Sequence, residues 1–147
     1  MKPAKATYTD IVSALLVTLF TYAALSKLFE YSNFKFQLGR SPYLTDISGF
    51  VAWSLPVAEL LTSFLLVSMR TRLWGLYCSL MLMLLFTGYI FIMLRYSHYL
   101  PCSCGGVLSM MSWHQHLYFN IIFTLLTLSS ILMLQTKNPS QALAKHL

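Results

Sequence analysis

Four long apolar runs, each about 20 residues, alternate with shorter polar stretches along this chain. A helix rises about 1.5 Å per residue and the hydrocarbon core of a bilayer is about 30 Å thick, so runs of that length are membrane spans. They predict helices from about Tyr8 to Leu28, Ile47 to Met69, Leu73 to Leu94 and Trp113 to Leu134. Tyr8, Tyr31, Trp53, Trp74, Tyr96, Tyr99 and Trp113 fall mostly near the ends of the runs, where an aromatic belt meets the lipid headgroups. The predicted fold is all-α: a four-helix transmembrane bundle in a single integral membrane domain over residues 1–147, with a polar tail over 137–147.

The connections are unequal. Little more than Arg70-Thr71-Arg72 separates the second and third runs, which predicts a tight helical hairpin. The other two connections are about 18 residues each and lie together on the opposite face. The face with both termini and the short turn carries Lys2, Lys5, Arg70, Arg72, Lys137 and Lys145, six basic residues against the four of the other face, Lys27, Lys35, Arg40 and Arg95. Positive charge is retained on the cytoplasmic side, so both termini are expected in the cytoplasm and the longer loops outside. Lys2, Lys5 and the stretch Ala24-Leu25-Ser26 imitate a secretory signal. The run is long for one, however, and Lys27 with the aromatics behind it reads as the end of a retained helix.

Composition strengthens this picture and removes two alternatives. The chain is 57% apolar and 10% charged, whereas soluble domains carry about 25% charged residues. It cannot coat a globule with polar surface. Its net charge of +6 sits mainly at run ends, where it orients helices, so nucleic acid is not an expected partner and the lipid bilayer is.

Chemistry concentrates in Pro101-Cys102-Ser103-Cys104-Gly105-Gly106, between the third and fourth runs. Two thiols one residue apart close only a small ring, far from relaxed disulfide geometry. Strain raises the reduction potential and makes such a bridge exchange-competent. Gly105 and Gly106 permit the backbone angles a tight turn needs. Arg95, His98, His114 and His116 are close enough in sequence to favour a thiolate, the reactive form. Two other readings stand beside exchange: a structural staple or inert thiols, and a copper or zinc site, for which no second ligand pair at regular spacing exists.

Other residues matter less clearly. Glu59 stands near the middle of the second run, three residues after Pro56, and an intramembrane carboxylate marks a candidate functional site. It is expected to be held protonated or to accept hydrogen bonds from Ser or Thr hydroxyls on neighbouring helices. Lys27, near the outer end of the first run, is expected to snorkel to the interface, because an ion pair with the deeper Glu59 looks strained. His114 and His116 lie two apart and so face different directions on a helix; they suit the thiols or headgroups better than a chelate. Asn120 is expected to hydrogen-bond between helices or to face the headgroups. Cys78 lies a span away from the pair and reads as buried and inert, and the eight methionines as apolar filling.

Cys102-Ser103-Cys104-Gly105-Gly106, followed by Trp113 and Asn120, resembles the methylamine-utilisation membrane protein family (MauE-type), within the wider DoxX-like group. Ala24-Leu25-Ser26-Lys27-Leu28 and Pro56-Val57-Ala58-Glu59-Leu60-Leu61 look like features of the same family's first two helices. The resemblance implies an inner-membrane, multi-pass protein that helps form or shuffle disulfides in exported partners. It implies a thioredoxin-like or cysteine-containing exported partner, with Cys102 and Cys104 as the exchanging thiols. The layout is distantly similar to quinone-linked disulfide-generating membrane proteins, which carry two cysteine pairs. This chain has one pair, so quinone stays an open question as cofactor. The rival readings are a non-catalytic subunit or assembly factor of an envelope complex, and a metal-handling membrane protein.

Overall fold

The computed structural model describes residues 2–96 and 111–136. They form five helices in chain order: α1 (Lys2–Phe29), α2 (Tyr31–Arg40), α3 (Ser48–Val67), α4 (Arg72–Tyr96) and α5 (Trp113–Gln135). A single 3-10 turn, Thr45–Ile47, leads into α3, and no strand occurs among the described residues. Four stretches are long and apolar enough to cross a membrane: Ala4–Phe29, Thr45–Val67, Arg72–Tyr96 and Trp113–Gln135. They coincide with the four predicted spans to within a few residues.

The distribution of polarity is the reverse of a soluble protein's. Large apolar side chains cover the outside, among them Phe64, Leu85, Leu125 and Leu132. Thr9, Ser13, Thr62, Ser63, Ser79, Thr127 and Ser130 are buried. An apolar exterior of this extent is stable only against lipid. Between helices in lipid, small and hydroxyl-bearing residues permit close packing. Most of the hydroxyls are satisfied within their own helices: Thr62 donates to the Ala58 carbonyl (2.8 Å), Ser79 to Gly75 (2.7 Å) and Thr127 to Phe123 (2.7 Å), whereas the Ser13 and Ser130 hydroxyls have no partner among the described residues.

The α3–α4 hairpin is closed by its own turn. Thr71 Oγ1 donates to the Leu65 carbonyl at 2.9 Å and Arg72 Nε to the Leu66 carbonyl at 3.4 Å. These are carbonyls that the end of α3 leaves without helical partners. Gly75 lets α4 come close: a Cβ there would sit 2.9 Å from the Leu66 nitrogen and 3.0 Å from the Leu65 carbonyl carbon. The sequence predicts a tight hairpin here, and this glycine is why it can be so tight.

Helix α1 packs chiefly along α3, its antiparallel neighbour, with Thr21 Oγ1 donating to Ser63 Oγ at 3.3 Å. Its contact with α5 is slighter and includes a hydrogen bond between the Tyr8 and Ser129 hydroxyls (2.7 Å). Val12, Leu16, Phe20, Leu66, Leu76, Met83 and Ile131 fill the interior.

Helix α2 corrects the reading of its segment as a plain connection. Phe34 and Leu38, one turn apart, bury themselves against Ala52 of α3, with Tyr31, Leu44, Val51 and Leu55 packed around them. Lys35 and Arg40 remain exposed. Thus α2 covers the first turns of α3, which extend beyond the end of α1.

Candidate functional site

The site forms at the end of the bundle where α1 and α4 finish and α3 and α5 begin. Serine 112 starts α5 with a reciprocal cap: the Gln115 backbone N–H donates to Ser112 Oγ at 3.3 Å, and the Ser112 N–H donates to Gln115 Oε1 at 3.1 Å. The cap fixes the first turn of α5. It thereby places His116 inward, 8% exposed, while His114 faces out. Asn120, one turn further, is buried at 4% exposure. Of its two predicted surroundings, the structure selects the bundle interior.

From α1 and α3 come the charges. Lys27 Nζ lies 2.7 Å from Glu59 Oε1, with the two side chains 3% and 0% exposed. This overturns the expectation that Lys27 snorkels to the interface and that Glu59 is met by hydroxyl groups. The depth argument took both spans to start at one plane. Glu59 is eleven residues into α3, about 16 Å, but α2 covers those first turns, so the level of Glu59 is reached from the last turn of α1. The Lys27 ammonium also lies 5.5 Å from the centroid of the Phe86 ring and 5.8 Å from that of Phe34, within cation–π range.

Lys27, Glu59, His116 and Asn120 line one small pocket of about 30 Å³, walled by Phe20, Phe86 and Phe119 among others. Glu59 Oε2 and the Asn120 amide nitrogen, both buried, have no hydrogen-bond partner among the described residues. Residues from three helices thus converge on a polar spot inside an otherwise apolar bundle. Ionised carboxylate and ammonium are costly to remove from water, and each lowers the cost of the other only when paired closely, as here.

The structure therefore brings together four of the residues that the sequence singles out and separates His114 from them. Cys102, Cys104, Gly105, Gly106 and His98 lie outside the described residues. Their segment joins the end of α4 to the cap of α5, and so springs from the same end of the bundle. Near that end Tyr89 of α4 donates its hydroxyl to Ser41 Oγ at 3.2 Å, which ties α4 to the chain just after α2. Arg95, in the last turn of α4, is exposed. Cys78 is a free thiol, half-buried rather than fully buried as its sequence position suggests. Among the described residues no three of His, Cys, Asp and Glu gather as a metal site would require.

Residues 5–134 match the family described as methylamine utilisation protein MauE. The match spans nearly the whole chain and includes all four long helices. The chain belongs to the MauE family. It is accordingly a multi-pass membrane protein of that family, in which the Lys27–Glu59 pair sits between the first and second spans. No curated protein and no solved structure matches the chain.

Proposed function

We propose that this MauE-family protein exchanges disulfides with exported proteins through Cys102 and Cys104, from the outer face of the inner membrane. The observation that carries the reading is the buried Lys27–Glu59 pair with His116 and Asn120, gathered at the end of the bundle that bears the cysteine loop. Intramembrane ionisable residues mark functional sites, and oxidation of a dithiol releases two protons that nearby titratable groups can handle. The burial of Lys27 also supports the orientation. With that lysine withdrawn into the bundle, the basic residues of the two faces number six and three, which favours cytoplasmic termini more strongly than the raw sequence does.

In the exchange, one cysteine attacks as thiolate; the step is written here for Cys102. Its sulfur bonds to one sulfur of a partner disulfide, the partner's S–S bond breaks, and the other partner sulfur leaves as thiolate. The Cys104 thiolate then attacks the Cys102 sulfur, closing the Cys102–Cys104 bridge and releasing the second partner thiolate. The pair has lost two electrons and two protons, and the partner has gained them. The reverse sequence oxidises a partner dithiol. A thioredoxin-like or cysteine-containing exported protein supplies the chemistry on the other side.

Single substitutions test this. In a Cys78→Ser background, acid-quenched cells carrying Cys104→Ser or Cys102→Ser should accumulate a mixed disulfide with a partner in at least one of the two variants. A membrane-impermeant maleimide should label the reduced pair from outside. If neither variant traps a partner and both behave as the parent, the loop is a staple; if labelling requires membrane disruption, the orientation is wrong.

A further inference from the structure

We propose that the opposite end of the bundle holds a binding site for the headgroup of one anionic phospholipid. There the first turns of α1, the α3–α4 turn and the end of α5 surround a groove of about 500 Å³. Along its length α1 packs mainly on α3 and more lightly on α5 and α4, and at this end it meets them through Tyr8–Ser129 and Asp10–Arg72. Lys5, Arg70 and Arg72 line the groove together with one acid, Asp10, and the apolar Met69 and Met133 continue its wall.

The charges are not balanced within the protein. Arg72 bonds Asp10 and also reaches the Leu66 carbonyl, so that acid and that cation answer each other. Lys5 and Arg70 are exposed, and neither has a carboxylate partner among the described residues. Two cations therefore face a cleft large enough for a phosphoglycerol group, and a phosphodiester carries the complementary charge. Basic pockets between transmembrane helices at the membrane surface bind anionic lipid headgroups for this reason.

The apolar part of the wall selects a lipid over a soluble anion. Met69 is 74% exposed beside Arg70, and Trp74, in the first turn of α4, is 69% exposed. Side chains of this kind stand at the boundary of headgroup and hydrocarbon. A phospholipid satisfies both sides of that boundary at once, with its phosphate toward Lys5 and Arg70 and its acyl chains along the exposed apolar helix faces. The site is independent of thiol exchange and lies at the far end of the spans from the cysteine loop.

Native mass spectrometry of the whole protein released from neutral detergent, titrated with phosphatidylglycerol or phosphatidylcholine, tests the proposal. The parent should retain one phosphatidylglycerol and little phosphatidylcholine. Lys5→Gln and Arg70→Gln should each weaken retention about fivefold and together about 25-fold, whereas Arg95→Gln at the other end should not. Lys5→Arg should restore binding. Equal retention of both lipids, or an unchanged affinity in a folded Lys5→Gln/Arg70→Gln protein, overturns it. So does binding of inorganic phosphate as tight as that of the lipid, which would assign a soluble anion instead.

Discussion

Replacing Lys27 and Glu59 singly and together measures what the buried pair contributes. At 2.7 Å and an effective dielectric near 20, the gross attraction is about 6 kcal/mol, much of it offset by the cost of desolvating both groups. Removing one partner strands the other in the interior. Lys27→Met and Glu59→Leu should therefore each destabilise the bundle by about 3–5 kcal/mol. The double variant removes both desolvation costs and fills the space with apolar atoms. It should lie close to the parent, far from the sum of the singles. The assay is reversible unfolding in mixed dodecylmaltoside and sodium dodecyl sulfate micelles, followed by far-ultraviolet circular dichroism. Additivity of the two single changes to within about 0.5 kcal/mol would mean that the groups do not couple, and would refute the pairing argument. The same four proteins separate stability from function. A double variant as stable as the parent but slow to exchange disulfides ties the pair to chemistry, whereas one that exchanges normally leaves the pair a structural feature.

Gly75→Ala should lower stability by about 1–3 kcal/mol, because its Cβ meets the α3 backbone rather than a side chain that can swing away. Gly88→Ala, where a Cβ meets nothing within 4 Å, should be neutral or stabilising; equal melting temperatures for the two variants would contradict the close-approach account. Ser112→Ala should cost about 1 kcal/mol through loss of the α5 cap. Hydrogen exchange should then rise at the amides of residues 113–116 and stay unchanged at the middle of the helix, and a uniform rise would argue against a local capping role.

The membrane architecture was legible because it depends on run length and mean hydropathy, which a single sequence states directly. The α3–α4 hairpin was legible from its short turn, but the part played by Gly75 was not, since a close helix approach is visible only when both backbones are placed. Helix α2 escaped because only ten residues form it and its buried face rests mainly on Phe34 and Leu38. Missing it caused the error over Lys27: without α2 covering the start of α3, the two charges appeared to lie at different depths. The Ser112-x-x-Gln115 cap did carry a readable sign, a serine three residues ahead of a glutamine before an apolar run. The inward face of His116 and Asn120 follows from that cap and their one-turn spacing. The cysteine loop rests on sequence and family membership, since it lies outside the described residues.

The pairing of Lys27 with Glu59 also bears on biogenesis. A charged residue at the centre of a nascent span costs about 2.5–3.5 kcal/mol at the insertion step, and less toward its ends. Glu59, near the middle of the second span, and Lys27, in the last turn of the first, bring opposite charges to these two spans, whereas α4 and α5 carry no charge in their central turns. The two that bear the burden are consecutive in synthesis and become antiparallel neighbours. Their charges can meet as soon as the second span emerges, before the last two helices exist. The ion pair thus lets α1 and α3 offset each other's charge as an insertion unit, onto which the α4–α5 half, uncharged in its central turns, assembles.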